Sequence, residues 1–363
     1  MPDFRPLARR SENRVRRGAG HRVVLALLGL LIAGGIVALI LLPGPAGSEK
    51  SEAGGEASAD SASGSPSGSG AAGDSASGQE DAATPPAPAP PPPAPMPDDR
   101  RSALATAEDP LAFVLADLPP VAEIAPASPP SLAPDLTAIF RMIEERRSGP
   151  ARVRLRRMID AADAGTLPRT DIGHAAFLFG MTYHREKLYT EAAPWFARAI
   201  GEWPAYAPSY YFAGWGSFYL GQLERSRDLF RRHLAWQPDA ADSHFGLGLI
   251  DLELGDPEAA VDRFTRSLAL QPAAPTTDAA RRSRAKAHAR MGDALAELDR
   301  LDEACGALTD AVTLWPDHHE AWARLARVER RRGDAEAATA AETQQQAALA
   351  RINASGTPAG NSE

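Results

Sequence analysis

The sequence predicts an all-α protein that contains a repeated helix–turn–helix unit, and two observations carry this prediction. Apolar residues recur at three- and four-residue spacing over the second half of the chain, which is the pattern of an amphipathic helix. Three residue types also recur there at intervals of 34 residues: Pro204, Pro238 and Pro272; Gly180, Gly214 and Gly248; Phe196, Phe230 and Phe264. A unit of this period cannot bury its apolar face alone, so neighbouring units stack into one continuous core.

Composition confines the folded part to residues 135–363. Of the 32 prolines, 18 lie between Gly44 and Pro134, and this stretch carries a net charge of −10. We therefore assign residues 43–134 to a disordered linker that is rich in alanine, proline, serine and glycine. Residues 135–363 carry a net charge of −3, which argues against a nucleic-acid partner because such proteins usually have a basic face.

Residues 23–42 form an uncharged apolar run that is long enough for one transmembrane helix. Twenty helical residues extend about 30 Å, the thickness of the bilayer core. Residues 1–22 form a basic tail with seven arginines and a net charge of +5. The positive-inside rule then predicts a single-pass anchor with a cytoplasmic N-terminus and an extracytoplasmic chain after Pro43. A cleaved signal peptide is the alternative, although its apolar region would be shorter.

The excess of arginine over lysine, 36 to three, is typical of a GC-rich genome and favours a bacterium. We therefore expect the protein in the inner membrane, with its folded domain in the periplasm. The long linker would hold that domain away from the bilayer.

One short segment interrupts the low complexity of the linker. Asp109 can cap a helix, Pro110 suits the first turn and Pro119 ends it, which predicts a helix over 109–118. This helix could be the first of the folded domain, a tethered recognition helix or a disordered apolar patch. If it docks, it could lie near Tyr211, Trp215 and Phe245, or it could cap the domain beside Phe140 and Ile143.

The repeated residues resemble the tetratricopeptide repeat family over 173–352. Four units match the pattern of that family, and a fifth begins near His319 but departs from the pattern at Glu342, as a polar capping unit would. Ten extra residues, around 275–284, precede the fourth unit, where Thr277 can cap a lengthened helix. We interpret residues 135–172 as a degenerate helix pair and residues 353–363 as a disordered tail. The resemblance implies a right-handed α-solenoid of about five units with a concave groove.

The resemblance also implies that the first helix of each unit lines this groove and binds a protein or peptide. Transferring the lining positions to this chain gives ten candidate residues: Phe177, Met181, Tyr211, Trp215, Phe218, Tyr219, Phe245, Leu249, Arg327 and Arg331. Aromatic anchors are typical of interface hot spots. The alternative is that the rings are core residues between the helices.

No set of residues predicts catalysis, a metal site or a cofactor. The single cysteine, Cys305, excludes a disulfide framework and a Cys-pair zinc site, and we expect it to be a buried apolar residue. Adjacent His318 and His319 would point in different directions on a helix. The sequence thus predicts a membrane-anchored scaffold for envelope assembly or secretion, and the alternative is an accessory or regulatory subunit of an envelope enzyme or translocase complex. It predicts neither the identity of the partner nor the oligomeric state.

Overall fold

A computed structural model describes residues 98–124, 134–163 and 169–356. These residues form 14 α-helices and no strands, which confirms the all-α prediction for this part of the chain. No helix of the described ranges is both long and apolar enough to cross a bilayer. The predicted transmembrane segment 23–42 lies outside these ranges.

The helices fall into three groups along the chain. Residues 98–124, which we call the strap, contain α1 (Asp98–Thr106), α2 (Pro110–Ala116) and a 3-10 turn (Val121–Glu123). Two further helices follow: α3 (Pro134–Glu144) and α4 (Ser148–Asp163). Five pairs complete the described chain: α5 (Arg169–Arg185) with α6 (Tyr189–Glu202), α7 (Ala207–Tyr219) with α8 (Leu223–Trp236), α9 (Ala241–Glu253) with α10 (Pro257–Leu270), α11 (Asp278–Glu297) with α12 (Leu301–Leu314), and α13 (His319–Arg332) with α14 (Ala335–Gly356).

The five pairs stack in chain order. We call α5, α7, α9, α11 and α13 the first helices, and α6, α8, α10, α12 and α14 the second helices. Each first helix contacts its own second helix, and each second helix contacts the first helix of the next pair. Successive first helices also contact one another from α5 to α13. This pattern is that of a solenoid, in which each unit is held by its neighbours.

Each recurrent glycine lies against a large side chain of the second helix in the same pair. A methyl group added to Gly248 would lie 2.6 Å from Cε1 of Phe264, and one added to Gly180 would lie 2.7 Å from Cε1 of Phe196. In the fourth pair, Gly292 faces Leu308 in the same way. The repeated glycine therefore allows the two helices of a pair to approach closely.

We expect Gly248→Ala to lower the free energy of unfolding by about 1–3 kcal/mol, because the added methyl group overpacks the Phe264 ring. Gly216 is the matched control, since it is also inside a first helix and a methyl group there meets nothing within 4 Å. Gly216→Ala should raise stability by about 1 kcal/mol through helix propensity. Urea unfolding of both variants measures the difference, and equal effects would contradict the close approach at Gly248.

A second repeated contact joins successive pairs. The Tyr210 hydroxyl donates to the carbonyl oxygen of Pro204 at 2.7 Å, and Trp322 Nε1 donates to that of Pro316 at 2.9 Å. His244 Nε2 lies 3.2 Å from the carbonyl oxygen of Pro238. The recurrent proline thus ends one second helix and presents an acceptor to the fourth residue of the next first helix.

The strap packs against the second helices. Helices α1 and α2 contact α6, and the 3-10 turn contacts α8. Leu111 and Val114 are buried in the same core as the solenoid, with 1% and 0% exposure. The Arg101 guanidinium pairs with the buried Glu202 at 2.8 Å, and Arg225 pairs with Asp109.

These contacts differ from the sequence analysis in two respects. The linker was expected to continue to residue 134, but the chain from Asp98 to Ile124 is packed on the solenoid, and α1 was not predicted. Helix α2 lies within the predicted 109–118 segment, and the Asp109 side chain caps it by accepting from the Ala112 amide. It contacts α6 rather than the predicted surface near Tyr211, Trp215 and Phe245.

The insertion and the last helix complete the comparison. Helix α11 begins after Thr277, whose hydroxyl accepts from the Ala280 amide, and it is 20 residues long. The insertion thus forms the connection to α11 and lengthens that helix at its start. Helix α14 continues to Gly356, so residues 353–356 extend the helix rather than belonging to the predicted disordered tail.

Candidate functional site

The structure buries most of the residues predicted to line a groove. Seven of them are between 0% and 7% exposed: Phe177, Met181, Tyr211, Trp215, Phe218, Phe245 and Leu249. Tyr219 is half-buried, whereas Arg327 and Arg331 are exposed. The first seven therefore belong to the core in this structure, and a partner could contact them only after a rearrangement. Their role in binding stays a prediction.

The buried rings connect the first three pairs. Tyr219 stacks on Tyr189 with ring centroids 4.7 Å apart, and Trp215 meets the edge of Phe230 at 5.2 Å. Trp215 also lies 6.4 Å from Phe245 of the next first helix. Burial raises the pKa of the Tyr211 hydroxyl well above its ordinary value, and the charge of nearby Asp242 adds to this shift. The rings thus hold successive units in register.

The surface of the first helices changes character beyond this aromatic region. Six charged residues of α9, α11 and α13 form what we call the mixed-charge cluster: Asp242, Lys286, Arg290, Asp293, Glu320 and Arg324. Each of them is half-buried. Half-buried charges need partners, because they have lost part of their hydration.

Asp293 is at the centre of the mixed-charge cluster. One carboxylate oxygen pairs with Arg290 Nη1 at 3.2 Å, and the other pairs with Arg324 Nε at 3.0 Å. Arg324 also lies 3.7 Å from a carboxylate oxygen of Glu320. Burial lowers the pKa of the Arg290 guanidinium, Arg324 adds to that effect, and Asp293 opposes it. These pairs join α11 to α13.

Lys286 differs from the other cations of the cluster. Within the described ranges its ammonium has no carboxylate oxygen within 4.0 Å. Burial lowers its pKa and the charge of Arg282 lowers it further, whereas the carboxylates of Asp242 and Glu320 oppose this shift. Lys286 is thus a half-buried donor with capacity for one more anionic partner.

The exposed arginines at the end of α13 bridge the last two pairs. Arg331 pairs with Asp299 at 2.9 Å and donates to the carbonyl oxygen of Ala296 at 2.7 Å. Arg330 pairs with Glu342 of α14. Arg327, the other arginine proposed as a site residue, is exposed on the same helix. Part of this basic surface is therefore already engaged within the chain.

Sequence reasoning recognised Lys286 and Asp293 as lining residues but missed Asp242, Arg290, Glu320 and Arg324. A signal was present, since Lys286 and Glu320 are 34 residues apart, as are Arg290 and Arg324. Charged residues at equivalent positions of consecutive first helices lie on one face and can pair. The aromatic positions received the attention because large rings suggest hot spots.

Two further sequence expectations concern single residues. Cys305 is buried with 7% exposure, and burial raises the pKa of its thiol to about 11, so the thiolate is scarce at neutral pH. Among the described residues, no group of three histidine, cysteine or carboxylate side chains could hold a metal ion. His318 is buried against the Trp315 ring, with centroids 4.5 Å apart.

Sequence comparison identifies the repeated unit. The profile of the tetratricopeptide repeat family matches residues 213–276, 246–318 and 289–351. The chain carries tetratricopeptide repeats. The matched region contains the mixed-charge cluster and the last four helix pairs, except for the start of α7 and the last residues of α14. No curated protein is similar to the chain in sequence.

Several solved tetratricopeptide-repeat and related structures are similar at low identity. MamA from Desulfovibrio magneticus RS-1 is 17% identical over 50% of this chain and 96% of its own, with a TM-score of 0.44. YrrB, described as a tetratricopeptide-repeat protein with an unusual peptide-binding site, is 18% identical over 50% of this chain and 91% of its own, with a TM-score of 0.40. PilW, described as a type IV pilus biogenesis factor, is 21% identical over 49% of this chain and 78% of its own, with a TM-score of 0.43.

Proposed function

We propose that this protein is a membrane-anchored, extracytoplasmic scaffold that binds a protein or peptide on the surface of its first helices. The repeats support this proposal, because stacked helical repeats offer an extended binding surface. The arginine-rich residues 1–22 and the apolar run 23–42 support the anchor. An envelope role in a bacterium follows from that topology and from the arginine-rich composition.

The unpaired Lys286 is the observation that carries the proposal. Its half-buried position on α11 places a cation among first-helix residues whose other charges are largely paired. A carboxylate of the partner would complete this arrangement at little cost, since Lys286 has already lost part of its hydration. We therefore propose a partner segment that carries at least one acidic group and contacts α9, α11 and α13.

A membrane-impermeant crosslinker applied to intact cells, or to spheroplasts if an outer membrane is present, tests both parts of the proposal. The full chain should be crosslinked to a defined partner, and Lys286→Gln should reduce this product about tenfold, as expected for the loss of one charged hydrogen bond. Arg231→Gln is the control, because Arg231 is exposed on the second helix α8.

The outcomes separate the parts of the proposal. A product that both variants form equally would contradict binding at Lys286. A chain that reacts only after the inner membrane is permeabilised would contradict the extracytoplasmic location. Circular dichroism of the two variants checks that neither substitution alters the fold.

A further inference from the structure

A cavity of about 500 Å³ lies where the strap meets the solenoid, away from the first-helix surface. Residues of α1, α4 and α6 line it, among them Arg101, Arg156 and Arg198. Trp195, Leu104 and Pro194 supply apolar walls. The volume is within the range of small-molecule sites, which combine apolar walls with a few polar groups.

The lining is strongly cationic. Three guanidinium groups line the cavity, and no carboxylate does. Glu202, which lies behind the lining, pairs with Arg101 at 2.8 Å and lies 3.9 Å from Arg198. One carboxylate therefore serves two of the three arginines, which leaves an excess of positive charge at the cavity.

Arg156 supplies the cation that no acidic side chain balances. Within the described part of the chain, it has no carboxylate oxygen within 4.0 Å. Its guanidinium lies 5.1 Å from the Trp195 ring centroid and 5.6 Å from that of Phe179. Trp195 is itself stacked on Phe179, with centroids 3.9 Å apart, so the ring beneath Arg156 is fixed in place. These cation–π contacts hold the guanidinium at the cavity while its donors stay available.

We propose that this cavity binds an organic phosphate, in which the phosphate group contacts the arginines and an attached apolar group contacts Trp195 and Leu104. A phosphate offers at least three acceptor oxygens and a charge of about −1 to −2, which suits guanidinium groups that come from three helices. The strap completes the site, since α1 supplies Arg101 and Leu104. This inference does not depend on the proposed partner binding.

The test uses the full chain in a nonionic detergent and measures binding of phenyl phosphate by isothermal titration calorimetry. Saturable binding is expected, and Arg156→Gln should weaken it about tenfold. Arg157→Gln is the matched control, because Arg157 is the next residue of α4, is also exposed and does not line the cavity. Circular dichroism confirms that both variants keep their helices.

Three results would overturn the proposal. These are the absence of saturation by phenyl phosphate at about 10 mM, equal weakening by the two variants, and tighter binding of benzoate than of phenyl phosphate. A second titration, with dihexanoyl phosphatidic acid, distinguishes the sources of the same chemistry. Binding more than tenfold tighter than that of phenyl phosphate supports a lipid headgroup, and similar binding supports a soluble phosphate ester.

Discussion

Acidification from pH 7.5 to pH 5.5 is expected to lower the free energy of unfolding by about 4 kcal/mol, through histidines buried in a neutral form. Burial lowers the pKa values of His174, His184 and His233 to about 4, and that of His318 to about 3. Each of these side chains titrates near pH 6.5 once the chain is unfolded. The expected loss is about 1 kcal/mol for each residue.

The sign follows from proton uptake. Between the folded and unfolded pKa values, the unfolded chain binds more protons than the folded one, so stability falls as the pH decreases from about 6.5 toward 4. The stabilisation is fully present above the unfolded pKa. Destabilisation at acidic pH is therefore a direct consequence of placing imidazoles in the core.

Urea unfolding at several pH values measures this loss, and His184→Leu provides the matched comparison. His184 lies among the rings of Tyr189, Phe196 and Phe212, at centroid distances of 5.2–6.1 Å, so a leucine there keeps the apolar packing. The variant should lose about a quarter of the pH dependence. An unchanged stability between pH 7.5 and pH 5.5 would refute the burial of neutral histidines.

Trp215→Ala is expected to lower the free energy of unfolding by about 3–5 kcal/mol, the usual cost of truncating a buried aromatic residue. Trp215 is 3% exposed and contacts Tyr219, Phe230 and Phe245, so its removal leaves a cavity between two first helices. Thermal and urea unfolding measure the loss. Arg327→Ala is the control, because Arg327 is exposed on α13 and its removal should change stability by less than about 0.5 kcal/mol.

The two variants also distinguish a core role from a binding role. If Trp215 acts only in the core, partner capture should fall in proportion to the folded fraction of the variant. If instead capture is lost while the unfolding free energy stays unchanged, the burial described here is wrong and the ring is an exposed anchor. Arg327→Ala should alter capture without altering stability if this arginine contacts the partner.

The sequence was sufficient for the architecture because the same residues recur at every helix junction. Gly248 and Phe264 are 16 residues apart in one unit, and the equivalent Gly214 and Phe230 show the same separation. Such pairs specify the close approach of two helices without any further information. The extended α11 was also predictable, since Thr277 is a good N-cap residue within the insertion.

The site was less predictable because helix periodicity does not separate a groove from a tight interface. Tyr211 and Trp215 occupy positions that line a groove in the resembling family, yet both are buried here. Their burial depends on how closely successive first helices pack, which is a property of neighbouring units. The location of the strap was hidden for a similar reason. Its few apolar residues could pair with several surfaces, and Glu202 and Arg225 became recognisable as partners only in three dimensions.

The strap also determines how the domain responds to mechanical force. A pull toward the N-terminus of the chain acts first on α1 and α2, through the Arg101–Glu202 pair and the buried Leu104, Leu111 and Val114. These contacts lie on the second helices, so tension would reach the first-helix surface only after the strap had detached. Detachment would also remove one wall of the arginine-lined cavity. Tension on the chain before Asp98 would then open that site while the stacked repeats remain folded.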